Sequence, residues 1–486
     1  MTNVVLLVLD TARSTEFDFG GAGILAPEMT EIATAGTRFD TTLSNAPWTL
    51  PSHASLFTAT YPSKHGAHAG HKRLDDDPRT LAEAFATADY ETVAVSNNTW
   101  ISEEFGFARG FETFVKTWQY VQADTDLGEI ARTKEGTDKL RAVARRIFDG
   151  NPLTNVANAV YGQFLRNRGD DGAKRTNEWI ADWLSSRDDD RPFFLFVNYL
   201  EPHLEYRPPR EHAERFLPDG VTYDEAMDVP QDAWGYIAGT VEMTDRDFEI
   251  LRALYRAEIA YLGERIGELR RHLEAAGEWE DTIFVVTADH GENIGDHELM
   301  DHQYCLYDTL LHVPLVVHGG AFTDGETVDD LVQLTDLGPT LLDAAGVDAP
   351  KFREQAQGRS FHPDADVDPR EFAVAEYLAP QPSMDALEKR VGSLPDGVRR
   401  YDRSLRSIRD DEWKLIRGSD GSTELYRVAD DPDERTDLAD DRPEQVNRLE
   451  AALDDWLTSF EHADVSGGVD MSADTKERLE DLGYLQ

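Results

Sequence analysis

The chain has 486 residues, of which 40% are apolar and 10% aromatic. This length and composition suffice for one large catalytic domain with a smaller one, and they exclude a wholly disordered chain. Asp and Glu total 94 against 48 Lys and Arg, which gives a net charge of −46. A field of that size repels nucleic acid and anionic membranes, and so excludes both as partners.

The acidic residues are spread along the chain in short clusters such as Asp75–Asp77 and Asp188–Asp190, and most basic residues are arginine. This composition favours a surface adapted to high salt over an ordinary acidic protein, because salt screens the self-repulsion. The single cysteine, Cys305, excludes an internal disulfide and a cysteine-based metal site. The sequence makes no prediction about the oligomeric state.

Buried strands and helices alternate along the first part of the chain. The N-terminal segment MTNVVLLVLD lacks the basic region and cleavage site of a signal peptide, and no apolar run reaches membrane-spanning length. The sequence therefore predicts a cytoplasmic protein without an integral membrane segment. Short apolar runs predict buried parallel strands at Val4–Leu9, Glu91–Ser96, Phe193–Leu200, Thr282–Thr287 and Val313–His318. Helical patterns at Thr80–Ala88 and about Phe248–Ala276 complete the pattern of an α/β sheet covered on both faces.

The later part of the chain has a different periodicity of apolar and polar residues. Residues 119–190 are charged and predict a helical insertion or lid. The segments SLRSIRD, WKLIRG and TELYRV predict three short antiparallel strands, followed by a helix from about Pro443 to Phe460. We therefore predict a catalytic α/β domain over residues 1–375 and a small antiparallel α+β subdomain over residues 376–486.

Polar side chains gather where the predicted strands end. Asp10 ends the first strand, Asn198 and His203 follow another, and Asp289 with His290 follows Thr282–Thr287. Ligands of open α/β sheets bind at this carboxyl edge. Adjacent Asp and His side chains at a strand end can bind a divalent metal, although the segment TADHGENIGDHELMDH also fits a polar loop that caps a helix.

The segment APWTLPSHASLFTATYPSKHG has the pattern of a helix start. In one interpretation Ser52 is simply the helix cap. In the other, Thr49 lies just ahead of a helix N-terminus, where backbone N–H groups favour an anion. A hydroxyl at that position and next to a metal can act as a nucleophile.

These segments, taken together, resemble the sulfatase family of the alkaline phosphatase superfamily. The resemblance continues through GFARGFETF, NYLEPH, YRAEIAYLGERIGELRRHLEAAG, LYDTLLHVPLVV, LTDLGPTLLDAAG, WKLIRG and LEDLGYL, in the order found in the family. It implies an alkaline-phosphatase-like, mostly parallel sheet flanked by helices. It also implies hydrolysis of small anionic esters.

Two departures from the family pattern concern the nucleophile and the metal. The family converts a Cys or Ser in Cys/Ser-x-Pro-Ser-Arg to formylglycine, whereas this chain has Thr49 and, in place of the Arg, His53. Oxidation of Thr gives a ketone, so no formylglycine is expected. Asp10, Thr49, Asp289 and His290 resemble the metal set of relatives with an unmodified Thr. The resemblance implies one divalent metal ion. An imidazole ligand favours Mn or Zn for this ion, and Ca and Mg remain alternatives.

The resemblance implies a mechanism in which Thr49 attacks phosphorus or sulfur. His203 and His302 resemble positions that contact the anion or protonate the leaving oxygen, and His53 and Lys64 are candidates for holding the anion or orienting the nucleophile. The favoured reaction is hydrolysis of a phosphate ester, of the diester type. Hydrolysis of sulfate esters, transfer of phosphoglycerol or phosphoethanolamine, and a catalytically inactive anion-binding relative remain alternatives.

Overall fold

The computed structural model describes residues 2–17, 25–117, 170 and 172–464 of the chain. The strands of the main sheet and its hairpin are β1 Asn3–Leu9, β2 Thr37–Leu43, β3 Glu91–Ser96, β4 Thr113–Lys116, β5 Phe193–Tyr199, β6 Thr282–Ala288, β7 Asn293–Ile294, β8 Met300–Asp301, β9 His312–His318, β10 Glu326–Val328 and β11 Val332–Gln333. The strands of the C-terminal sheet are β12 Ala373–Tyr377, β13 Leu405–Arg409, β14 Lys414–Gly418 and β15 Thr423–Tyr426. The helices are α1 Pro27–Ala35, α2 Thr49–Thr58, α3 Pro62–His65, α4 Leu81–Thr87, α5 Ala173–Ser186, α6 Arg210–Ala213, α7 Tyr223–Met227, α8 Ala233–Ile237, α9 Asp245–Ala276, α10 Asp308–Leu311, α11 Leu337–Ala344, α12 Pro350–Gln355, α13 Met384–Val391 and α14 Pro443–Thr458.

The main sheet is mixed and mostly parallel. Eight of its nine strands run in the order β10-β2-β9-β6-β1-β5-β3-β4, and the ninth, β11, also pairs with β2. The predicted fold class is confirmed, and all five predicted strands are present. One detail of the prediction was wrong, because β9 pairs antiparallel with both β2 and β6. A strand buried on both faces has the same apolar composition in either direction, so composition alone could not give its orientation.

The centre of the sheet is formed by the most apolar strands. Every residue from Val4 to Leu9 is fully buried, as a strand covered on both faces requires. The long helix α9 packs against α1 and α5. It begins at a capping box, in which Thr244 and Asp247 satisfy each other's backbone N–H groups, and it ends at Gly277 with a φ of 78°. These signals fix its length.

The C-terminal sheet is antiparallel, in the order β12-β13-β14-β15. Three of its strands match the predicted segments. Helix α14 corresponds to the predicted C-terminal helix, and it packs on β13 and β14. Strand β12, which the sequence did not indicate, begins at Ala373, so the predicted boundary between residues 375 and 376 falls inside it. The division into two domains stays a prediction.

Two further expectations concern the insertion and the membrane. Residues 119–169 and 171 of the predicted insertion lie outside the described residues, and α5 accounts for most of the remainder. Within the part of the chain that the structure describes, no helix combines the length and the apolar character needed to cross a bilayer.

Candidate active site

Neighbouring parallel strands bring Asp10, Asp289 and His290 together. Strands β1 and β6 pair in register up to Leu9 and Ala288, so the residues that follow them lie side by side. The backbone N–H groups of Thr11 and His290 donate to Asp289 Oδ1 at 3.2 and 2.9 Å. All three side chains of the cluster are fully buried.

The geometry of this cluster fits a divalent cation. His290 Nε2 lies 3.9 Å from Asp10 Oδ1 and 3.4 Å from Asp289 Oδ2. Neither of these two carboxylate oxygens has a hydrogen-bond partner among the described residues. His290 Nδ1 lies 2.8 Å from the Gly291 carbonyl, so a proton on Nδ1 leaves the Nε2 lone pair facing the carboxylates.

The electrostatics of the cluster lead to the same conclusion. Burial raises the pKa of Asp289 to about 7, and burial together with the Asp289 charge raises the pKa of Asp10 well above its usual range. Burial and the neighbouring imidazoles lower the pKa of His290 well below its usual value. Two buried carboxylates and a neutral imidazole are destabilising alone and are matched to a bound cation.

Thr49 lies at the first position of helix α2, beside this cluster. Trp48 is the N-cap in an extended conformation. Thr49 Oγ1 lies 3.4 Å from His290 Nε2, and Asn98 Nδ2 lies 3.5 Å from the same hydroxyl while also donating to Asp10 Oδ2. The hydroxyl therefore lies next to the candidate cation site and at a helix N-terminus, where partial positive charge favours an anion.

The interpretation of Ser52 as the helix cap was wrong. The helix begins three residues earlier, and Ser52 Oγ instead donates to the Asp289 carbonyl at 2.7 Å. This hydrogen bond ties α2 to the end of β6. It thereby holds the nucleophile candidate and the metal candidates in fixed relative positions.

His53 is placed to orient the start of the helix. Its Nδ1 lies 3.0 Å from the Thr49 carbonyl and 3.4 Å from Asp289 Oδ2. Burial lowers the pKa of His53 to about 4, so the imidazole is neutral near pH 7. This contact with the Thr49 carbonyl fits a residue that orients the nucleophile candidate, which is the second of the two roles the sequence suggested.

His302 and His203 lie against each other on a second side of the cluster. The His302 ring centroid is 4.6 Å from that of His290 and 5.3 Å from that of His203. Burial disfavours protonation of His302, but the Asp301 and Glu292 carboxylates outweigh it and raise the pKa of His302 well above its usual value. Burial and the His302 charge lower the pKa of His203 to about 4. His302 is therefore the better proton donor of the pair.

Lys64 is not brought into this group. Its Nζ donates to the Gln355 carbonyl at 2.6 Å, and Gln355 in turn donates to the Thr58 carbonyl at the C-terminal end of α2. A ten-residue helix is about 15 Å long, so Lys64 lies near the opposite end of α2 from Thr49. The suggestion that Lys64 holds the anion does not fit this placement.

Asn98 and Glu292 belong to the site, but the sequence interpretation did not select them. Asn98 follows β3, and its amide contacts both Asp10 and Thr49. The paired asparagines at the end of the predicted strand Glu91–Ser96 were the available signal, by the same strand-end argument that selected Asp10. Glu292 is fully buried beside His302, with 3.6 Å between Oε1 and Nδ1.

A mostly parallel α/β sheet carries carboxylates, imidazoles and a helix-terminal hydroxyl at its carboxyl edge, a set of groups suited to ester hydrolysis. Residues 2–347 match the family model described as Sulfatase, and the chain belongs to the sulfatase family. The family predicted from the sequence is thereby confirmed.

Individual relatives are distant but cover most of the chain. Arylsulfatase K of Bos taurus is 23% identical over 478 residues, which cover 93% of this chain and 81% of that protein. A solved 2-O GAG sulfatase has a TM-score of 0.66 at 17% identity, over 95% of this chain and 94% of that one. Phosphonate monoester hydrolase of Agrobacterium radiobacter has a TM-score of 0.67 at 20% identity, over 94% of this chain and 95% of that one. At these identities the solved structures establish the fold.

Proposed function

We propose that this sulfatase-family hydrolase cleaves phosphate diesters with Thr49 as the nucleophile and a divalent cation, Mn or Zn, held by Asp10, Asp289 and His290. The observation that carries the proposal is the Thr49 hydroxyl, 3.4 Å from His290 Nε2 and at the N-terminus of α2. A threonine cannot yield the aldehyde of formylglycine, so the side chain has to act as a hydroxyl.

The proposed reaction has two displacements at phosphorus. Thr49 Oγ1 loses its proton to solvent and attacks in line, a bond from Oγ1 to phosphorus forms, and the bond from phosphorus to the ester oxygen breaks, so that this oxygen leaves with its bonding electrons. A cation bound by the cluster would lower the pKa of the hydroxyl and offset charge on the non-bridging oxygens. The α2 N-terminus favours the same anion, and a His302 N–H donates to the leaving oxygen. A water oxygen then forms a bond to phosphorus, the bond from phosphorus to Oγ1 breaks, and a proton from the water restores the Thr49 hydroxyl.

The charges of the described residues support a substrate group with one negative charge. Lys64 is bonded to Gln355, and the Arg13 guanidinium contacts the Glu292 carbonyl and Asp296. A phosphate monoester brings two charges near pH 7, whereas a diester or a sulfate ester brings one. Few cationic side chains next to several buried carboxylates disfavour the dianion.

The test is a paired assay in high salt. Bis-p-nitrophenyl phosphate, p-nitrophenyl phosphate and p-nitrophenyl sulfate would be compared, with Mn, Zn, Mg or Ca supplied in turn. We expect Mn- or Zn-dependent cleavage of the diester, a loss of about 10³-fold or more in Thr49→Ala, and retention of part of the activity in Thr49→Ser. Diester cleavage that survives in Thr49→Ala contradicts the proposed nucleophile.

The second candidate is hydrolysis of sulfate esters, and the names of the relatives favour it. The curated relatives are named arylsulfatase K, arylsulfatase and choline-sulfatase. If the pocket is built for sulfate, Thr49→Cys co-expressed with a formylglycine-generating enzyme should gain sulfatase activity, and the additional change His53→Arg restores the family's maturation segment. No gain in either variant supports the phosphate proposal.

Two further alternatives have distinct outcomes in the same assay. A transferase would cleave the diester faster when an acceptor alcohol is added, with the acceptor found in the product. A catalytically inactive relative would cleave none of the substrates and would bind no divalent cation. The fit of Asp10, Asp289 and His290 to a cation argues against the inactive relative.

A further inference from the structure

We infer that Lys414, in the C-terminal sheet, is a positioning residue of the candidate active site. It acts through the short helix α10, which contacts the C-terminal sheet on one side and the loop after β6 on the other. The inference concerns where His290 and Thr49 are held. It rests on the proposed function only for the chemistry that these two residues carry out.

Buried charges hold the beginning of α10 against the C-terminal sheet. Lys414 Nζ lies 2.7 Å from Asp308 Oδ1 and 2.7 Å from Glu434 Oε1, and the lysine side chain is only 1% exposed. Arg409 contacts the other Asp308 oxygen, and Glu434 Oε2 accepts from the Asp308 N–H. Two buried carboxylates are therefore matched by two cations, and Lys414 contacts both carboxylates.

The other side of α10 holds the loop that carries the histidine of the cation cluster. The Gly291 N–H donates to the Leu310 carbonyl at 2.7 Å, and the Glu292 N–H donates to the Thr309 carbonyl at 3.0 Å. The Thr309 hydroxyl donates to Asn293 Oδ1 at 2.7 Å. Three hydrogen bonds thus connect α10 to the three residues that directly follow His290.

The last residue of α10 holds the segment that leads to the nucleophile candidate. The Ser44 N–H donates to the Leu311 carbonyl at 2.8 Å, and the Ser44 hydroxyl donates to the Ala46 carbonyl at 2.7 Å. Helix α2 begins three residues later, at Thr49. The nucleophile candidate and the metal loop therefore depend on the same short helix.

A helix of four residues cannot fix its own position, because isolated helices shorter than about 12 residues are marginal in water. Leu310 and Leu311 are buried, but apolar packing is not directional. The ion pairs of Asp308 are directional, and they set the position of α10. Without the Lys414 ammonium, the Asp308 and Glu434 carboxylates would repel each other, and α10 would shift together with the loop.

The test measures the loop directly, by hydrogen–deuterium exchange and mass spectrometry of the full-length, metal-free protein. The Gly291 and Glu292 amides report on the loop, because both donate to α10. We expect them to exchange at least about tenfold faster in Lys414→Met than in the wild type. We also expect the Kd for Mn, from equilibrium dialysis and inductively coupled plasma mass spectrometry, to rise at least about tenfold.

The matched control is Leu453→Ala. Leu453 is fully buried between α14 and the C-terminal sheet, so its truncation destabilises the same part of the molecule by a different route. The control should lower the urea midpoint, as Lys414→Met does. It should leave the exchange of the two loop amides and the Kd for Mn at their wild-type values, which a general loss of stability would not.

Two results would overturn the inference. Wild-type exchange of the loop amides in Lys414→Met, or equal acceleration in Leu453→Ala, would show that Lys414 only stabilises the fold. Should Lys414→Met not fold, Glu434→Gln decides, because it keeps the side-chain volume and removes one of the two charges that Lys414 contacts. Faster exchange of the loop amides in that variant supports the inference, and wild-type exchange overturns it. If the wild type binds no Mn, the proposed metal chemistry fails, and the exchange result still decides the role of Lys414.

Discussion

At the scale of residues, the buried neighbours His302 and His203 differ in their protonation state. Carboxylates next to His302 favour its proton, whereas burial leaves His203 neutral. Proton donation to the leaving oxygen matters most when that oxygen is a poor leaving group. The identity of the leaving group should therefore change the effect of a mutation at His302.

We expect His302→Gln to lower kcat/KM about 100-fold or more for a diester with an alkyl leaving group, and much less for p-nitrophenolate. The measurement is kcat/KM over a series of leaving groups of increasing pKa. Lys64→Gln is the control, because Lys64 contacts Gln355 away from the cluster and should have wild-type values. Equal losses across the series would contradict proton donation by His302.

The pH dependence of stability gives a second prediction at this scale. The folded pKa of Asp289 is about 7, above its usual value of 3.8, so the native metal-free protein holds a proton that the unfolded chain releases. The stabilisation is present below about pH 4 and is lost as the pH rises to about 7, with a loss on the order of a few kcal/mol. Bound metal reverses the trend, because it needs the deprotonated carboxylate.

Urea unfolding midpoints of the metal-free protein between pH 5 and pH 8, in constant high salt, measure this effect. The wild type should lose stability with rising pH relative to Asp289→Asn, in which the titrating group is absent. With Mn or Zn added, the stability of the wild type relative to Asp289→Asn should instead increase as the pH rises. Parallel pH profiles for the two metal-free proteins would show that Asp289 does not titrate in this range.

One geometric rule decided which parts of the site could be predicted from the sequence. Asp10, Asp289 and His290 follow parallel strands, and such strands end at one edge, so their proximity could be predicted without contacts. Asn98 obeys the same rule, but a neutral amide is not a usual metal ligand and drew no interpretation. The misplacement of Lys64 has another cause. Lys64 is close to Thr49 in sequence, but helix α2 lies between the two residues and separates them in space.

At the scale of elements, the turn after β6 depends on a glycine between two site residues. A Cβ atom on Gly291 would lie 2.1 Å from the Thr309 carbonyl oxygen and 3.3 Å from Arg13 Cγ. The backbone of the loop and that of α10 therefore approach as closely as they can. This contact sets the positions of His290 and Glu292 on either side of the glycine.

We expect Gly291→Ala to destabilise the fold by about 1–3 kcal/mol and to abolish binding of divalent cations. The urea midpoint measures the first effect, and metal counting measures the second. Gly277→Ala is an informative comparison, because Gly277 has a φ of 78° but open space around its Cβ. It should cost about 1 kcal/mol and leave metal binding unchanged. Normal metal content in Gly291→Ala would contradict the proposed constraint.

Element prediction failed where pairing partners decide the structure. The strands β10 and β11 are two or three residues long, and they exist because they pair with β2. Helix α9 could be predicted well, because its amphipathic pattern and both of its ends are local signals. Orientation of β9 needed the neighbouring strands, which a sequence pattern does not identify.

At the scale of the whole molecule, a buried charge is paired in the interior, whereas the surface charges are not balanced. The ammonium of Lys414 is buried, and it lies 2.7 Å from both Asp308 and Glu434, so a paired cation links α10 to the C-terminal sheet. The surface has no such balance, since the chain carries a net charge of −46. Self-repulsion of that size acts against the compact state at low salt.

We therefore expect the melting temperature at pH 7 to rise when KCl increases from about 0.1 to 2 M, because the screening length falls from about 10 Å to below 3 Å. Each kcal/mol gained corresponds to a rise of about 2–4 °C or less in a protein of this size. The control is the same titration near pH 4.5, the isoelectric point of the sequence, where the net charge and its repulsion vanish. The salt dependence should be much smaller there. Equal slopes at the two pH values would mean that general salting-out stabilises this protein, and the proposed adaptation to high salt would lose its electrostatic basis.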